Sequence, residues 1–336
     1  MRMLFIGGIN RNNAPRGGEE YKNQLILKKL AFENLTPTII DTTKWKVRPE
    51  TWIRLFISIL ISEFDKIVIS ASSASAYKLI KLIGYIRPSL LQKTSYLVVG
   101  GYFPEAIEWK VFKWEKYRKL KNIVVQGDKL KNKLLKNTKL SNISTIPNFK
   151  EFPGIKSIKT NSKKVFKFVF VGRISQGKGI REIIKASEIL KLQNIVFCVD
   201  FYGPVEGQFP LNDGILNYKG FLDIQGDPVN SYIKLSEYDC MLFPTYWMGE
   251  GFPGVIVDAF IAGLPVIASD WNMNSEIIKD GKNGYLIEPK NAEALAEKMF
   301  YVMENKEKLQ EIRRNNLARA KDYHIDTVWP ELLKLL

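Results

Sequence analysis

Two cations and two carboxylates carry the chemistry expected of this chain. Arg173 and Lys178 stand five residues apart in Gly172-Arg173-Ile174-Ser175-Gln176-Gly177-Lys178-Gly179, a glycine-bearing turn between a strand-like and a helix-like run. A planar guanidinium fork and a compact ammonium can converge there on one diphosphate. Further on, Glu250-Gly251-Phe252-Pro253-Gly254-Val255-Ile256-Val257-Asp258 places two carboxylates eight residues apart around the start of a helix. Pro253 suits a first helical turn and Gly263 a helix end. The free amides of Phe252, Gly254 and Val255 on either side of Pro253, with the positive end of the helix dipole, make a seat for phosphate. Gly251 and Gly254 let a ligand approach the backbone closely. Glu250 stands before those amides and Asp258 beyond them. The arrangement suits a ligand with phosphate in its middle and hydroxyls at both ends, the shape of a nucleotide-sugar.

The helix that carries Asp258 is apolar almost all round, which predicts burial. A buried carboxylate needs a partner, because desolvation alone costs several kcal/mol. No Lys or Arg lies between Lys234 and Lys279. The partner must come from elsewhere in the chain or from a ligand; a buried Asp satisfying a backbone turn is the alternative.

Taken together, the two motifs resemble the signature of retaining glycosyltransferases of the GT-B fold, family 4. The family's Glu-x7-Glu reads Glu250 to Asp258 here, with Asp in the second place. The resemblance implies an α/β chain with two Rossmann-like, doubly wound domains facing a central cleft. It implies that Arg173, Lys178 and Glu250 are catalytic, the cations gripping the donor's pyrophosphate and Glu250 holding sugar hydroxyls. Gly17 and Gly18 would approach the donor phosphates or the acceptor. Gly203, Lys219 and Gly220 would border the nucleotide base, and Asp258 the ribose diol. Tyr102 and Glu105, where many members carry a histidine, would border the acceptor. Ile146-Pro147-Asn148 resembles the family's turn at the exit from the first domain. Retention is also implied, with the departing phosphate taking the acceptor's proton. The chain has no Asp-x-Asp pair for Mg or Mn, so neither metal nor cofactor is expected; the nucleotide-sugar is a substrate.

These groups must be positioned by a long alternation of strand-like and helix-like runs. Strands are expected over 38–41, 66–70, 96–99, 122–126, 143–146, 166–171, 195–202, 240–243 and 265–268, which argues for parallel sheets covered on both faces. The 336 residues suffice for two domains. The expected division is 1–155 for the acceptor and 156–324 for the nucleotide-sugar, with 325–336 packing back on the first. A linker is expected over 150–164, and a hairpin-like turn over 280–289. The first glycine loop lacks the Gly-x-Gly-x-x-Gly spacing of a dinucleotide site. Cys198 and Cys240 read as small buried hydrophobes in a reducing compartment. With His324 the single histidine, a zinc site or a Ser-His-Asp triad has little to draw on.

Net charge is +15 and falls on one half: residues 1–155 hold 27 Lys and Arg against 12 Asp and Glu, whereas residues 156–336 balance at 23 each. An anionic partner for the first half follows. No run is long enough to span a bilayer, and Met1–Ile6 reads as a strand, not a signal peptide. The expectation is a cytoplasmic protein held peripherally at the inner face of the plasma membrane. Its partners would be a nucleotide-sugar (UDP first), a glycan or lipid-linked acceptor and anionic lipid. Of two conspicuous segments, the basic and aromatic 110–121 is the better candidate for the membrane surface, and the densely apolar 52–64 reads as a core helix. Nothing resembles an RNA- or DNA-binding motif. Two other readings of the same fold are a sugar-nucleotide epimerase and a non-catalytic partner subunit.

Overall fold

The computed structural model describes residues 2–11, 13–15, 17–45, 47–153 and 165–336. The chain divides into two units, Met1–Glu151 with Ile325–Leu336, and Phe152–His324. Most of the linker expected over 150–164 lies outside the described residues.

The first unit alternates β1 (Met3–Gly7), α1 (Gly18–Phe32), β2 (Thr38–Asp41), α2 (Pro49–Ile61), β3 (Lys66–Ser72), α3 (Ser73–Ile86), β4 (Thr94–Val99), α4 (Tyr102–Glu108), β5 (Asn122–Val125), α5 (Asp128–Asn137) and β6 (Ile143–Thr145). The strands form one parallel sheet in the order β2-β1-β3-β4-β5-β6. Runs such as Met3-Leu4-Phe5-Ile6 are buried throughout, as strands covered on both faces must be. The winding reverses between β1 and β3, the place where doubly wound sheets open a crevice at their strand ends.

Glu19, in the first turn of α1, accepts a hydrogen bond from the Gly8 amide at that edge (3.2 Å). Burial pushes its carboxyl up to about 7, against the opposing amide hydrogen bonds from Gly8 and Ser72. A carboxyl that holds its proton more tightly when folded stabilises the fold at low pH and loses that contribution as pH rises through the folded value. Glu19→Gln should therefore gain on the wild type between pH 5 and pH 8 by about 2 kcal/mol, read as the difference in urea midpoints.

One sequence expectation reverses. The 52–64 run is not a core helix: in α2 only Leu55 and Ile59 are buried, and Trp52, Ile53, Phe56, Ile57, Leu60 and Ile61 are exposed. The 110–121 run, expected as the better membrane-surface segment, is a loop with one 3-10 turn, Trp114–Tyr117. Its Phe112 and Tyr117 are buried against Tyr77, Tyr96 and Phe103. A composition can announce an apolar helix without saying how much of it the sheet covers; in 110–121 two aromatics go into the core while Val111 and the lysines stay exposed and Trp114 is half-buried.

The second unit comprises β7 (Phe166–Val171), α6 (Ile180–Leu192), β8 (Phe197–Tyr202), β9 (Leu216–Tyr218), α7 (Pro228–Ser236), β10 (Cys240–Phe243), α8 (Gly254–Ile261), β11 (Val266–Ser269), α9 (Asn274–Ile277), β12 (Tyr285–Ile287), α10 (Ala292–Glu304) and α11 (Lys306–Ala320). Its sheet is also parallel, ordered β12-β11-β10-β7-β8-β9, with the reversal between β7 and β10. The hairpin-like turn expected over 280–289 is present only in its first half: residues 281–283 form a turn, with Gly281 at a φ of +70°, but Tyr285–Ile287 is the parallel edge strand β12, paired with β11. The last helix, α12 (Ile325–Leu335), returns to the first unit. Val328, Trp329 and Leu332 join its core beside Leu25, Val68 and Leu97. Ser95 and Asn122 donate to the Leu335 carbonyl at 2.6 and 2.9 Å.

Candidate functional site

The turn leaving β7 and the turn leaving β10 meet at the reversal point of the second sheet. After β7 a 3-10 turn, Gln176–Lys178, runs into Gly179, which adopts the left-handed φ of +78° and starts α6. A Cβ on Gly179 would overlap the Pro244 carbonyl oxygen beyond β10. Only glycine both accepts that φ and lets the two turns approach so closely. The Tyr246 amide donates to the Gly177 carbonyl at 2.9 Å and closes the contact. Gly179→Ala should destabilise the unit by at least about 2 kcal/mol in urea unfolding.

Lys178 and Glu250 form an ion pair here, with side chains 18% and 13% exposed. Thr245 Oγ1 lies 3.3 Å from the same Glu250 oxygen. The backbone around Glu250 is held independently: its amide donates to the Trp247 carbonyl (3.0 Å) and its carbonyl accepts from Asn272 (2.9 Å). Gly251 and Phe252 follow, with Phe252 buried edge-on to Tyr323. Pro253 is the N-cap of α8, and no side chain caps that helix. Pro253 therefore sits one position before the first turn expected for it, and Gly254 and Val255 begin the helix.

Asp258, one turn into α8, is 3% exposed. The Tyr232 hydroxyl of α7 donates to it at 2.9 Å. The partner sought in the sequence thus includes a neutral donor 26 residues upstream. Arg173 is brought to the same strand end as Lys178 but pairs with Glu206 at 3.0 Å, both half-exposed. Such a surface pair contributes roughly 0–1 kcal/mol, so a diphosphate could draw Arg173 away from it. Gly203 is held against β7: at its φ of +133° a Cβ would overlap the Gly172 carbonyl oxygen. Its amide donates to the Gly220 carbonyl at 2.8 Å, which joins two of the three residues expected at the base. The third, Lys219, turns its ammonium to Asp200 at 4.0 Å.

The remaining candidates belong to the first unit. Gly17 is the N-cap and Gly18 the first residue of α1, and a Cβ would meet nothing at either. Glu105 is buried and paired with Lys133 at 2.8 Å, while Tyr102 packs edge-on to Trp109. Among the described residues no group of three or more His, Cys, Asp or Glu could hold a metal ion. Sequence reasoning missed Tyr232, Thr245 and Asn272. Thr245, beside Pro244 in the motif-bearing loop, was open to inspection; the other two reach the site only through tertiary packing.

Residues 152–319 match the family described as glycosyl transferases group 1. The chain belongs to that family. Among curated relatives, this group 1 glycosyl transferase is 25% identical over 170 residues to the capsular polysaccharide biosynthesis glycosyltransferase CapM of Staphylococcus aureus, covering 48% of this chain and 43% of that protein. It is 32% identical over 136 residues to the amylovoran biosynthesis glycosyltransferase AmsK of Erwinia amylovora, covering 38% and 33%. The matches span less than half the length of those relatives. Among solved structures, sucrose-phosphate synthase from Thermosynechococcus elongatus aligns with a TM-score of 0.74 at 14% identity, over 100% of this chain and 98% of that one. Anabaena Alr3699/HepE in complex with UDP aligns at 0.71 and 16%, over 99% of each. At such identities the likeness establishes the fold, two Rossmann-like units of the GT-B type.

Proposed function

We propose that this chain is a retaining glycosyltransferase of family 4. It would move a sugar from a nucleotide-sugar, UDP-linked first, to a lipid-linked glycan in the synthesis of a capsule, O-antigen or related surface polysaccharide. It would work without a metal, at the inner face of the plasma membrane. The observation that carries this reading is the meeting of Lys178 and Glu250 at the reversal point of the second sheet, beside the uncapped start of α8. The names of CapM and AmsK, and the UDP bound to HepE, support the choice of product and donor.

Transfer breaks the bond between the anomeric carbon and the donor's phosphate oxygen. Negative charge grows on the leaving diphosphate, and preorganised donors aimed at that charge are the largest single contribution such a site can make. Lys178 has three N–H donors, so it can keep Glu250 and take a phosphate oxygen together. Arg173, once released from Glu206, and the amides at Gly254 and Val255 would add to it. Glu250 would hold sugar hydroxyls and face the positive character at the anomeric carbon. The ion pair keeps both groups in place before the donor arrives. Asp258, steadied by Tyr232, would accept from the ribose diol.

A thermal-shift panel of UDP-, GDP- and dTDP-sugars tests the donor class. The expected result is a rise in Tm with one nucleotide series, lost in Lys178→Ala. No shift with any of them would remove the reading. Incubation with the stabilising sugar nucleotide alone should leave the sugar unisomerised; an epimerised sugar would replace transfer by epimerase chemistry.

A further inference from the structure

The exposed face of α2 and the pocket beside its first turn are not used by the chemistry above. Trp52, Ile53, Phe56, Ile57, Leu60 and Ile61 are adjacent pairs repeated every four residues, so they line one side of the helix. All six are at least 37% exposed, and Ile61 reaches 71%. Single exposed apolar residues are ordinary; six on one helix face are a contiguous patch, and patches of that kind mark an interaction surface. At 13 residues α2 is too short to cross a bilayer, and among the described residues no helix is long and apolar enough to do so.

The residues that begin this helix also line a cavity of about 370 Å³ at the ends of β1 and β2. Arg11, Lys44, Arg48 and Arg54 face it, against Asp41 and Glu50. Asp41 is already engaged: it accepts from the Ile9 amide and from the amide and hydroxyl of Thr43, at 3.0, 3.0 and 2.6 Å. Two positive charges are left in excess. The loop that supplies Lys44 is fixed to the helix, because Trp45 stacks on Trp52 at 4.6 Å and Trp52 Nε1 donates to the Trp45 carbonyl at 3.1 Å. An apolar helix face and a cationic pocket thus share one rigid element.

We propose that α2 and this pocket are a docking surface for an anionic phospholipid leaflet. The six apolar side chains enter the boundary between headgroups and acyl chains, and Arg11, Lys44, Arg48 and Arg54 take a lipid phosphate. The charge identifies the occupant: a patch meant for a second copy of this chain would bring an excess of two positive charges against another two, whereas a leaflet offers both hydrocarbon for the helix face and phosphate for the pocket. Trp52, half-exposed at the end of the face nearest the pocket, sits where tryptophan favours the interface. The 110–121 segment offers no comparable face: it is a loop whose Phe112 and Tyr117 are buried, with Trp114 half-buried beneath Arg118 and Val111 the exposed apolar side chain. The proposal deepens the membrane half of the function proposed above. Its test needs neither donor nor acceptor, so either can fail while the other stands.

The test is cosedimentation of the full chain with vesicles of phosphatidylcholine alone and of phosphatidylcholine with phosphatidylglycerol. The wild type should partition at least tenfold more strongly onto the anionic vesicles, and raised salt should weaken that binding. Phe56→Ser/Ile57→Ser and Arg48→Glu/Arg54→Glu should each lower it at least tenfold with Tm unchanged, because all four side chains are exposed. Lys113→Glu/Lys116→Glu, in the 110–121 loop, should leave most of it. Equal binding to both vesicle types would overturn the proposal, as would binding that survives the α2 variants or is abolished by the 113/116 pair alone. A wild type that is dimeric in solution, made monomeric by Phe56→Ser/Ile57→Ser with vesicle binding untouched, would assign the face to a second copy instead.

Discussion

Lys178→Ala should reduce turnover by about 10²–10³-fold, the loss typical when one preorganised donor to a developing anion is removed. Lys178 has its place at the β10 loop fixed by a charged partner, Glu250, at the reversal point of the sheet. Its ammonium also lies over the Phe243 ring at 5.7 Å, so it reaches the site from a defined direction. The fold should survive. Gly179 and the Tyr246-to-Gly177 hydrogen bond close the turn through backbone alone, and the broken pair is not fully buried. Lys178→Arg should recover part of the rate, since charge is kept but the rigid fork changes its placement. Turnover within threefold of wild type in Lys178→Ala, measured with saturating donor, would exclude this residue from the diphosphate site.

Glu250→Gln should cost a similar 10²–10³-fold in kcat while leaving Tm within a few degrees. The substitution keeps shape and removes charge. The loop does not rely on that charge, because the Glu250 amide and carbonyl are tied to Trp247 and Asn272. The double variant Lys178→Ala/Glu250→Gln is the sharper measurement. If the two act as a unit on one bound donor, the double should fall no more than about tenfold below Lys178→Ala. Losses that multiply across the pair would mean that they serve separate steps, and the shared role of the ion pair would be wrong.

Most of the elements around this site are legible in the residues. The strands over 166–171 and 240–243 occur with the bounds expected of them, since each is a dense local pattern. The two motif loops could be found for the same reason: their glycines, cations and carboxylates are neighbours in the chain. Other expectations failed where a decision depended on something distant. The edge strand β12 looked like a turn because its partner, β11, contributes half of the pattern.

What the sequence by itself determined is the alternation that makes two parallel sheets, the placing of charge on the first half, and the two loops that carry Lys178 and Glu250. Tertiary structure alone decided that those loops touch, 72 residues apart, through a left-handed glycine against a carbonyl oxygen. It alone decided that Asp258 is met by Tyr232, that Arg173 stands with Glu206, and that α2 faces outward while 112 and 117 turn in. The division has a physical cause. Backbone preference and hydrophobic period are local properties, whereas a side chain's partner and exposure depend on which elements pack over it, and that is settled by the whole fold.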